Sequence, residues 1–358
     1  MRPAKRSFTI RGGRTIDGPL LVPSISSRGF DFVRTEDEGT LSRTAGFLRS
    51  AAPNLANGTV LISAYDIHYG FLPDCEALRT NALQSVYGLP DLTFIDSGLY
   101  EWRRDPAVVV PEAGASSEWN RSMLEETLDG LDDTLDAVVV NFDLAAQDDA
   151  QQTPSSFEDQ ITAASEFFAP RRSRFASDCL LKPDRAHRPL EVGRLTATDI
   201  ERLGAFDIIG VTEKDLGGRI VDRLVAIAAL RDALIREGLG TKPIHVFGAL
   251  DPLFAPLFFA AGADIFDGLG WLRYAYHDGV SLYREAPAVL SQNRYLGAES
   301  DRRLAMVQQD NIGAMHQITS KLKTFAESGE WKIFGAQAIA LNDMHRAMAA
   351  EMKRPGGN

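Results

Sequence analysis

Leu92-Thr-Phe-Ile-Asp96 is the stretch that decides the fold, because it is a short apolar run that ends in a carboxylate. Four further apolar stretches carry acidic or polar residues at their ends: Val138-Val-Val-Asn-Phe-Asp143, Asp178-Cys-Leu-Leu-Lys182, Asp207-Ile-Ile-Gly-Val-Thr-Glu213 and Ala263-Asp-Ile-Phe-Asp267. In a (β/α)8 barrel the carboxyl ends of all strands open onto one mouth, where active sites lie. We therefore expect Asp96, Asp143 and Asp267 to share one pocket.

Eight strands are predicted in total, each four to six residues long, at 20–25, 59–64, 92–96, 137–142, 178–182, 206–211, 243–248 and 263–267. Continuous apolar runs of this kind are typical of strands that are covered on both faces. Helical patterns lie between them, at 127–135, 195–203 and 219–237. Alternating strands and helices imply a parallel sheet, and eight repeats favour a closed (β/α)8 TIM barrel over an open doubly wound sheet.

The pattern changes after residue 290, where two helices are predicted at 298–327 and 336–352 with no strand between them. We therefore divide the chain into a barrel, residues 1–290, and a C-terminal helical extension, residues 291–358. An apolar stripe in the first of these helices could pack on the barrel or serve a partner, and we favour packing.

The composition of the 358 residues is that of a globular protein, with 44% hydrophobic residues and a formal net charge of −11. No apolar run approaches the ~20 residues of a membrane span. Two cysteines cannot form a disulfide framework, so we expect a cytoplasmic protein. An acidic chain is repelled by nucleic acid, which favours a small molecule or a protein as the partner.

Asp96 and Asp267 are the strongest candidates for chemistry. In Asp96-Ser-Gly-Leu-Tyr100, Gly98 permits a tight turn that brings Tyr100 near the carboxylate, although a helix cap with Tyr100 in the core is an alternative. Asp267 follows the last apolar residue of its strand and could act as nucleophile or general base. When carboxyl groups lie close together, their pKa values are pushed apart, so one can stay protonated and serve as the acid while another is ionised and attacks.

Two other features favour a structural role. His245 begins the seventh strand, at the end remote from the mouth, and we interpret it as structural. The pair Gly217-Gly218 before a helix could cradle an anion, but a plain turn is the simpler interpretation. The remaining histidines lack ligand spacing, so we expect no metal site and no cofactor.

At these motifs the chain resembles the tRNA-guanine transglycosylase superfamily. Asp96-Ser-Gly-Leu-Tyr100 is similar to that family's Asp-Ser-Gly-Gly-Tyr/Phe-Gln motif, and Gly262-Ala-Asp-Ile-Phe-Asp267 is similar to its Gly-x-Asp-x-Phe-Asp stretch. The resemblance implies that Asp96 is the general acid/base, that Tyr100 stacks on a purine and that Asp267 is the nucleophile.

Weaker similarities add further base-binding positions between about residues 8 and 285. Asn141-Phe-Asp143 resembles the family's Phe-Asp motif, Asp207–Gly218 takes the place of its glycine-rich loop, and His245-Val-Phe-Gly248 resembles the segment that floors the pocket. The base-binding residues expected in this way are Tyr100, Asp143, Lys182, Thr212, Glu213, Phe247 and Gly248.

The chain also departs from the family. Residues 286–310 contain no Cys, so the zinc hairpin of the tRNA enzymes has no counterpart. Leu99 and Glu101 replace a Gly and the Gln of the first motif, and Lys182 stands near the position of an expected glutamine. These changes argue against tRNA as the substrate, but they are compatible with recognition of guanine or 7-deazaguanine.

Two functions follow from the resemblance. The first, slightly favoured by the charge and the missing hairpin, is a binding protein for a nucleotidyltransferase that bears a deazaguanine-type modification. Such a transglycosylase-like binding protein resembles the ancillary proteins of antiphage (type IV CBASS) operons. The second, favoured by Asp96 and Asp267, is a transglycosylase that places a 7-deazaguanine base in DNA or, less readily, in tRNA. An unrelated barrel lyase or hydrolase is a third possibility.

Overall fold

The structure is a computed structural model that describes residues 4–10, 13–27, 32–35, 39–42, 58–71, 92–102, 119–142, 155–292 and 295–354. Its centre is a closed barrel of eight parallel strands, labelled here β1 to β8 in chain order. They are β1 Leu20–Ile25, β2 Thr59–Ser63, β3 Leu92–Asp96, β4 Ala137–Val140, β5 Ala176–Leu181, β6 Ile208–Thr212, β7 Ile244–Phe247 and β8 Ile265–Gly268. The predicted (β/α)8 barrel is therefore confirmed.

Helices pack around and beside this barrel. They are α1 Ala64–His68, α2 Leu99–Trp102, α3 Arg121–Asp129, α4 Phe157–Phe168, α5 Ala197–Leu203, α6 Ile220–Arg236, α7 Phe254–Ala261, α8 Gly270–Arg273, α9 Pro287–Leu290, α10 Ser300–Ser328 and α11 Ala338–Glu351. Within the described ranges, three two-stranded sheets accompany them, and their strands are Ser7–Thr9 with Thr15–Asp17, Phe32–Thr35 with Gly39–Ser42, and Tyr274–His277 with Val280–Tyr283.

Helix α3 corrects one sequence prediction, because a helix at 127–135 was expected and the helix lies six residues earlier. The Asn120 side chain caps its first turn by accepting a hydrogen bond from the amide of Met123. The helix ends at Asp129 with Gly130 as its C-cap, and the Asp132 carboxylate then accepts a hydrogen bond from the amide of Thr134 at 2.7 Å, which forms a turn. Local side-chain capping therefore outweighs the apolar spacing that suggested a later helix.

The barrel interior follows the two-residue alternation of its strands. Apolar side chains from most strands meet there, including Val22, Leu61, Phe94, Val140 and Ile265. The last inward position of several strands is polar, as Ser24, Ser63, Asp96 and Asp267 illustrate. The mouth at the carboxyl ends is therefore polar above an interior that is mainly apolar.

The C-terminal helices pack against the shell of the barrel. Of the predicted apolar stripe, Ile312, Met315, Ile318 and Leu322 are buried in the same cluster as the barrel helices, while Met306 is half-buried against a second cluster. Packing is therefore the use of this stripe, as favoured from the sequence. The division of the chain at residue 290 stays a prediction. Among the described helices, none combines the length and the apolar character that crossing a membrane would require.

Candidate functional site

The structure brings Asp96 and Asp267 to the same end of the barrel. Asp96 is the last residue of β3, and Asp267 is the third residue of β8. Both carboxylates face the mouth, and they are close enough for the charge of Asp267 to raise the pKa of Asp96. Asp143, the third expected carboxylate, lies outside the described residues.

Asp96 has an unusual proton affinity. Loss of hydration raises its pKa most, and the nearby carboxylates of Glu101 and Asp267 raise it further, against a lowering by the amides of Ser97 and Gly98. The resulting pKa is about 7. Part of the Asp96 surface remains accessible from the mouth. A carboxyl group with this pKa can both give and take a proton near neutrality.

Glu101 is a third carboxylate of the mouth, which the sequence indicated only as a departure from the family motif. Its side chain is 2% exposed and accepts hydrogen bonds from the hydroxyls of Ser26 and Ser63, the latter at 2.7 Å. Gly98 turns the chain between Asp96 and Glu101 with a φ of +86°, and a Cβ there would meet the Cβ of Tyr65 at 2.6 Å. The tight turn inferred for Gly98 therefore requires a glycine.

Asp267 is held by donors from two neighbouring strands. The hydroxyl of Ser24 donates to its Oδ2 at 2.9 Å, and the amide of Gly248 donates to its Oδ1 at 2.9 Å. Gly248, expected to bind the base, thus directs its amide to the carboxylate. The other acidic residue of this stretch, Asp264, is buried with Arg6 and Arg231 and has a structural role.

His245 occupies a different place from the one that the sequence suggested. Its ring lies in the barrel interior, and its Nε2 is 3.3 Å from Oδ1 of Asp267, while its Nδ1 is 2.6 Å from Oδ2 of Asp178. The interpretation that His245 is remote from the mouth was wrong because a side chain of this length reaches the next inward layer. His245 and Phe247 are two residues apart on β7, so their side chains lie on the same face of the strand. This spacing could have predicted that His245 faces the barrel interior.

The two expected aromatic stackers differ in how open they are. Tyr100 is 42% exposed, and its hydroxyl accepts a hydrogen bond from Arg273 at 3.2 Å, so the alternative of Tyr100 in the core is wrong. Phe247 is 8% exposed, and its ring stacks on His245 with centroids 3.8 Å apart. Tyr100 is thus the more accessible of the two rings.

Lys182, Thr212 and Glu213 lie at the carboxyl ends of β5 and β6. The ammonium group of Lys182 donates to Thr212 at 2.7 Å and to Asp215 at 3.0 Å. Burial raises the pKa of Glu213, although Arg223, whose guanidinium is 2.6 Å away, lowers it. These side chains form a polar rim beside the mouth.

The glycines before α6 form a turn. Asp222 from the first turn of α6 accepts hydrogen bonds from the amide and the guanidinium of Arg219, so a carboxylate already occupies this helix end. Gly217 has a φ of +141°, and a Cβ there would meet Asp222 at 2.7 Å. The anion cradle considered from the sequence is therefore not formed here.

A cavity of about 400 Å³ lies away from these carboxylates, between the beginnings of β1 to β3 and helix α10. Its lining is mainly apolar, with Arg14, His316 and Lys323 at its edge. Within the described ranges, no group of three His, Cys, Asp or Glu side chains is arranged to hold a metal ion. No protein-family model and no curated protein matches this chain, so the family resemblance rests on the motifs alone.

Proposed function

We propose that the mouth of the barrel binds a 7-deazaguanine-type base and inserts it into a nucleic acid in place of guanine, with DNA as the preferred nucleic acid. The observation that carries this proposal is that the two carboxyl groups of the mouth, Asp96 and Asp267, are suited to different chemical roles. Asp96, with a pKa of about 7, can carry a proton beside an Asp267 whose oxygens are held by donors. Glycosyl transfer with retention needs one acid and one nucleophile in this relation.

The proposed reaction has two balanced halves. In the first, Asp267 forms a bond to C1′ of the sugar as the bond from C1′ to the base breaks, and the departing base takes the proton of Asp96. In the second, Asp96 accepts a proton from the incoming base, which bonds to C1′ and releases Asp267. Tyr100 would stack on the base, with Arg273 fixing the phenol from α8.

A second candidate is a binding protein that keeps the base pocket but receives its base on a protein, such as a modified nucleotidyltransferase of an antiphage operon. The net charge of −11 and the cysteine-free segment 286–310 favour this candidate over a nucleic-acid enzyme. Its base would occupy the same mouth, without formation of a bond to Asp267.

A pair of assays on one preparation tests both candidates. We expect labelled guanine to enter duplex DNA in exchange for the guanine that the DNA already carries, and we expect Asp267→Asn, which keeps size but removes the nucleophilic charge, to abolish this exchange. Asp232→Asn, an exposed substitution on α6, is the matched control. Absence of exchange, together with a salt-resistant complex with a modified nucleotidyltransferase, would instead support the binding protein.

A further inference from the structure

The pair Asp178 and His245 is a polar element inside an otherwise apolar part of the barrel. Both side chains are fully buried, and Oδ2 of Asp178 is 2.6 Å from Nδ1 of His245. The His245 ring contacts two aromatic rings, that of Phe247 at a centroid distance of 3.8 Å and, edge to face, that of Phe94 at 5.6 Å. These contacts stabilise the observed orientation of the imidazole.

The backbone makes room for this pair. Gly210 of β6 lies opposite His245 in the strand register, and a Cβ on it would be 2.7 Å from Oδ1 of Asp178 and 2.7 Å from the Phe247 ring. A buried charged pair costs several kcal/mol of desolvation, and apolar replacements of similar size are often more stable. Stability alone therefore does not account for an Asp–His pair at this position.

The unused atoms of the pair point to its role. Nε2 of His245 has no aligned hydrogen-bond partner within the described residues, yet it lies 3.3 Å from Oδ1 of Asp267. Oδ1 of Asp178 also lacks a partner there. The chain of contacts thus runs from Asp178 through the imidazole to the carboxylate that we propose as nucleophile.

We propose that Asp178 and His245 are positioning residues for Asp267, with Asp178 orienting a protonated imidazole so that Nε2–H faces Oδ1 of Asp267, the oxygen that also accepts the Gly248 amide, while Oδ2, which accepts the Ser24 hydroxyl, is the oxygen that reacts. This inference rests on the proposed function for its chemical consequence. When Asp267 is released from C1′ in the second half of the reaction, the imidazolium stabilises the departing carboxylate. No net proton is transferred by His245.

The charge state of the ring agrees with this geometry. Burial by itself lowers the pKa of His245, but the carboxylates of Asp178 and Asp267 more than offset that effect and raise it to about 9. Burial raises the pKa of Asp178, and the imidazolium opposes this. Among the described residues, the charged groups that face the ring are thus Asp178 from β5 and Asp267 from β8. The ring keeps its proton at neutral pH and loses it as the pH rises through about 9.

Histidine NMR provides the first test, with the His245 signal assigned by its loss in His245→Gln. We expect the ring to stay doubly protonated until about pH 9, and both Asp178→Asn and Asp267→Asn to lower its titration midpoint by about one unit or more. A midpoint near the ordinary value in the natural protein, or one unmoved by Asp267→Asn, would overturn the proposal. Since Asp267 is at the mouth, its variant carries the test if Asp178→Asn fails to fold.

Base-exchange kinetics provide the second test. We expect His245→Phe to lower kcat on the order of 10- to 100-fold with the KM for guanine unchanged, because the ring acts on Asp267 and not on the base. His245→Gln, which keeps an N–H donor, should recover part of this loss. An unchanged kcat in His245→Phe would defeat the inference and leave the proposed function standing. If the natural protein shows no exchange, the proposed function fails, and the NMR titration alone decides whether the pair controls Asp267.

Discussion

Asp96 keeps its carboxyl group in a place that disfavours its charge. Because folding raises its pKa from 3.8 to about 7, the folded protein binds this proton more tightly than the unfolded chain does. The resulting stabilisation is complete below about pH 4 and is lost as the pH rises through about 7. Above that pH, the ionised group lowers the free energy of unfolding.

Asp96→Asn should therefore raise the free energy of unfolding at pH 8, by about 1–3 kcal/mol, since water from the mouth screens part of the full cost. At pH 4.5 the difference between the variant and the natural protein should largely disappear. Urea unfolding at the two pH values measures this effect, with Asp232→Asn on the exposed face of α6 as the control. An equal difference at both pH values would show that the proton of Asp96 is not responsible.

Tyr100 offers a test of base binding that does not depend on turnover. If its exposed ring stacks on the base, Tyr100→Ala should weaken binding of free 7-deazaguanine by about 1–3 kcal/mol, as measured by calorimetry. Tyr100→Phe keeps the ring and removes the hydroxyl that contacts Arg273, so it should bind nearly as well as the natural protein. Unchanged affinity in the alanine variant would exclude stacking by this ring.

For single residues, the sequence could predict those that end a strand, such as Asp96, because an apolar run followed by a carboxylate is a local sequence pattern. It could not predict Asp178 and His245 as partners. Their contact depends on barrel closure and on the shear between strands, which bring residues 67 positions apart to the same inward layer. Glu101 was missed for a similar reason, because only the turn at Gly98 directs it towards Ser63.

Helix α10 contacts the segment that follows β8 through the buried side chain of Asn311. The amide of Asn311 donates to the carbonyls of Trp271 and Tyr274, both at 2.7 Å, and its oxygen accepts the amide of Tyr276 at 2.7 Å. Trp271 belongs to α8, the helix that follows Asp267 and carries Arg273. The extension therefore braces the segment that leads out of the proposed nucleophile strand.

Asn311→Ala should lower the free energy of unfolding by about 2–4 kcal/mol, because three backbone groups lose their partners in a buried place. Chemical denaturation measures the loss. Gln317→Ala, an exposed substitution on the same helix, is the control and should change stability by less than about 0.5 kcal/mol. A loss in Asn311→Ala no larger than that of the control would mean that these hydrogen bonds are replaced by water.

The elements themselves were well predicted where they are buried on both faces. All eight strands were anticipated, with ends displaced by one or two residues in most cases; β4, for example, ends at Val140 rather than at residue 142. Strand ends depend on which backbone groups find partners across the barrel, and the sequence does not encode this locally. Helix α3 was displaced for the related reason that Asn120 and Asp132 cap the backbone.

The charge of the whole molecule governs its partners at long range. With a net charge of −11, the protein should bind duplex DNA or tRNA weakly at about 50 mM salt, and the binding should vanish by about 200 mM. Gel-shift titrations at several salt concentrations measure this. Binding of the free, uncharged base is the control, because its affinity should change little with salt. Nucleic-acid binding that persists at the higher salt would reveal a local basic surface that outweighs the net charge.

Gly210 has a consequence for how this protein can vary. The position has room for only a hydrogen because Asp178 and Phe247 fill the space that a methyl group would need. A larger residue at 210 is therefore compatible with the fold only if 178 or 247 becomes smaller at the same time. In natural variants these positions should change together: a chain with alanine or serine at 210 should lack the acid at 178, and with it any reason to keep a histidine at 245.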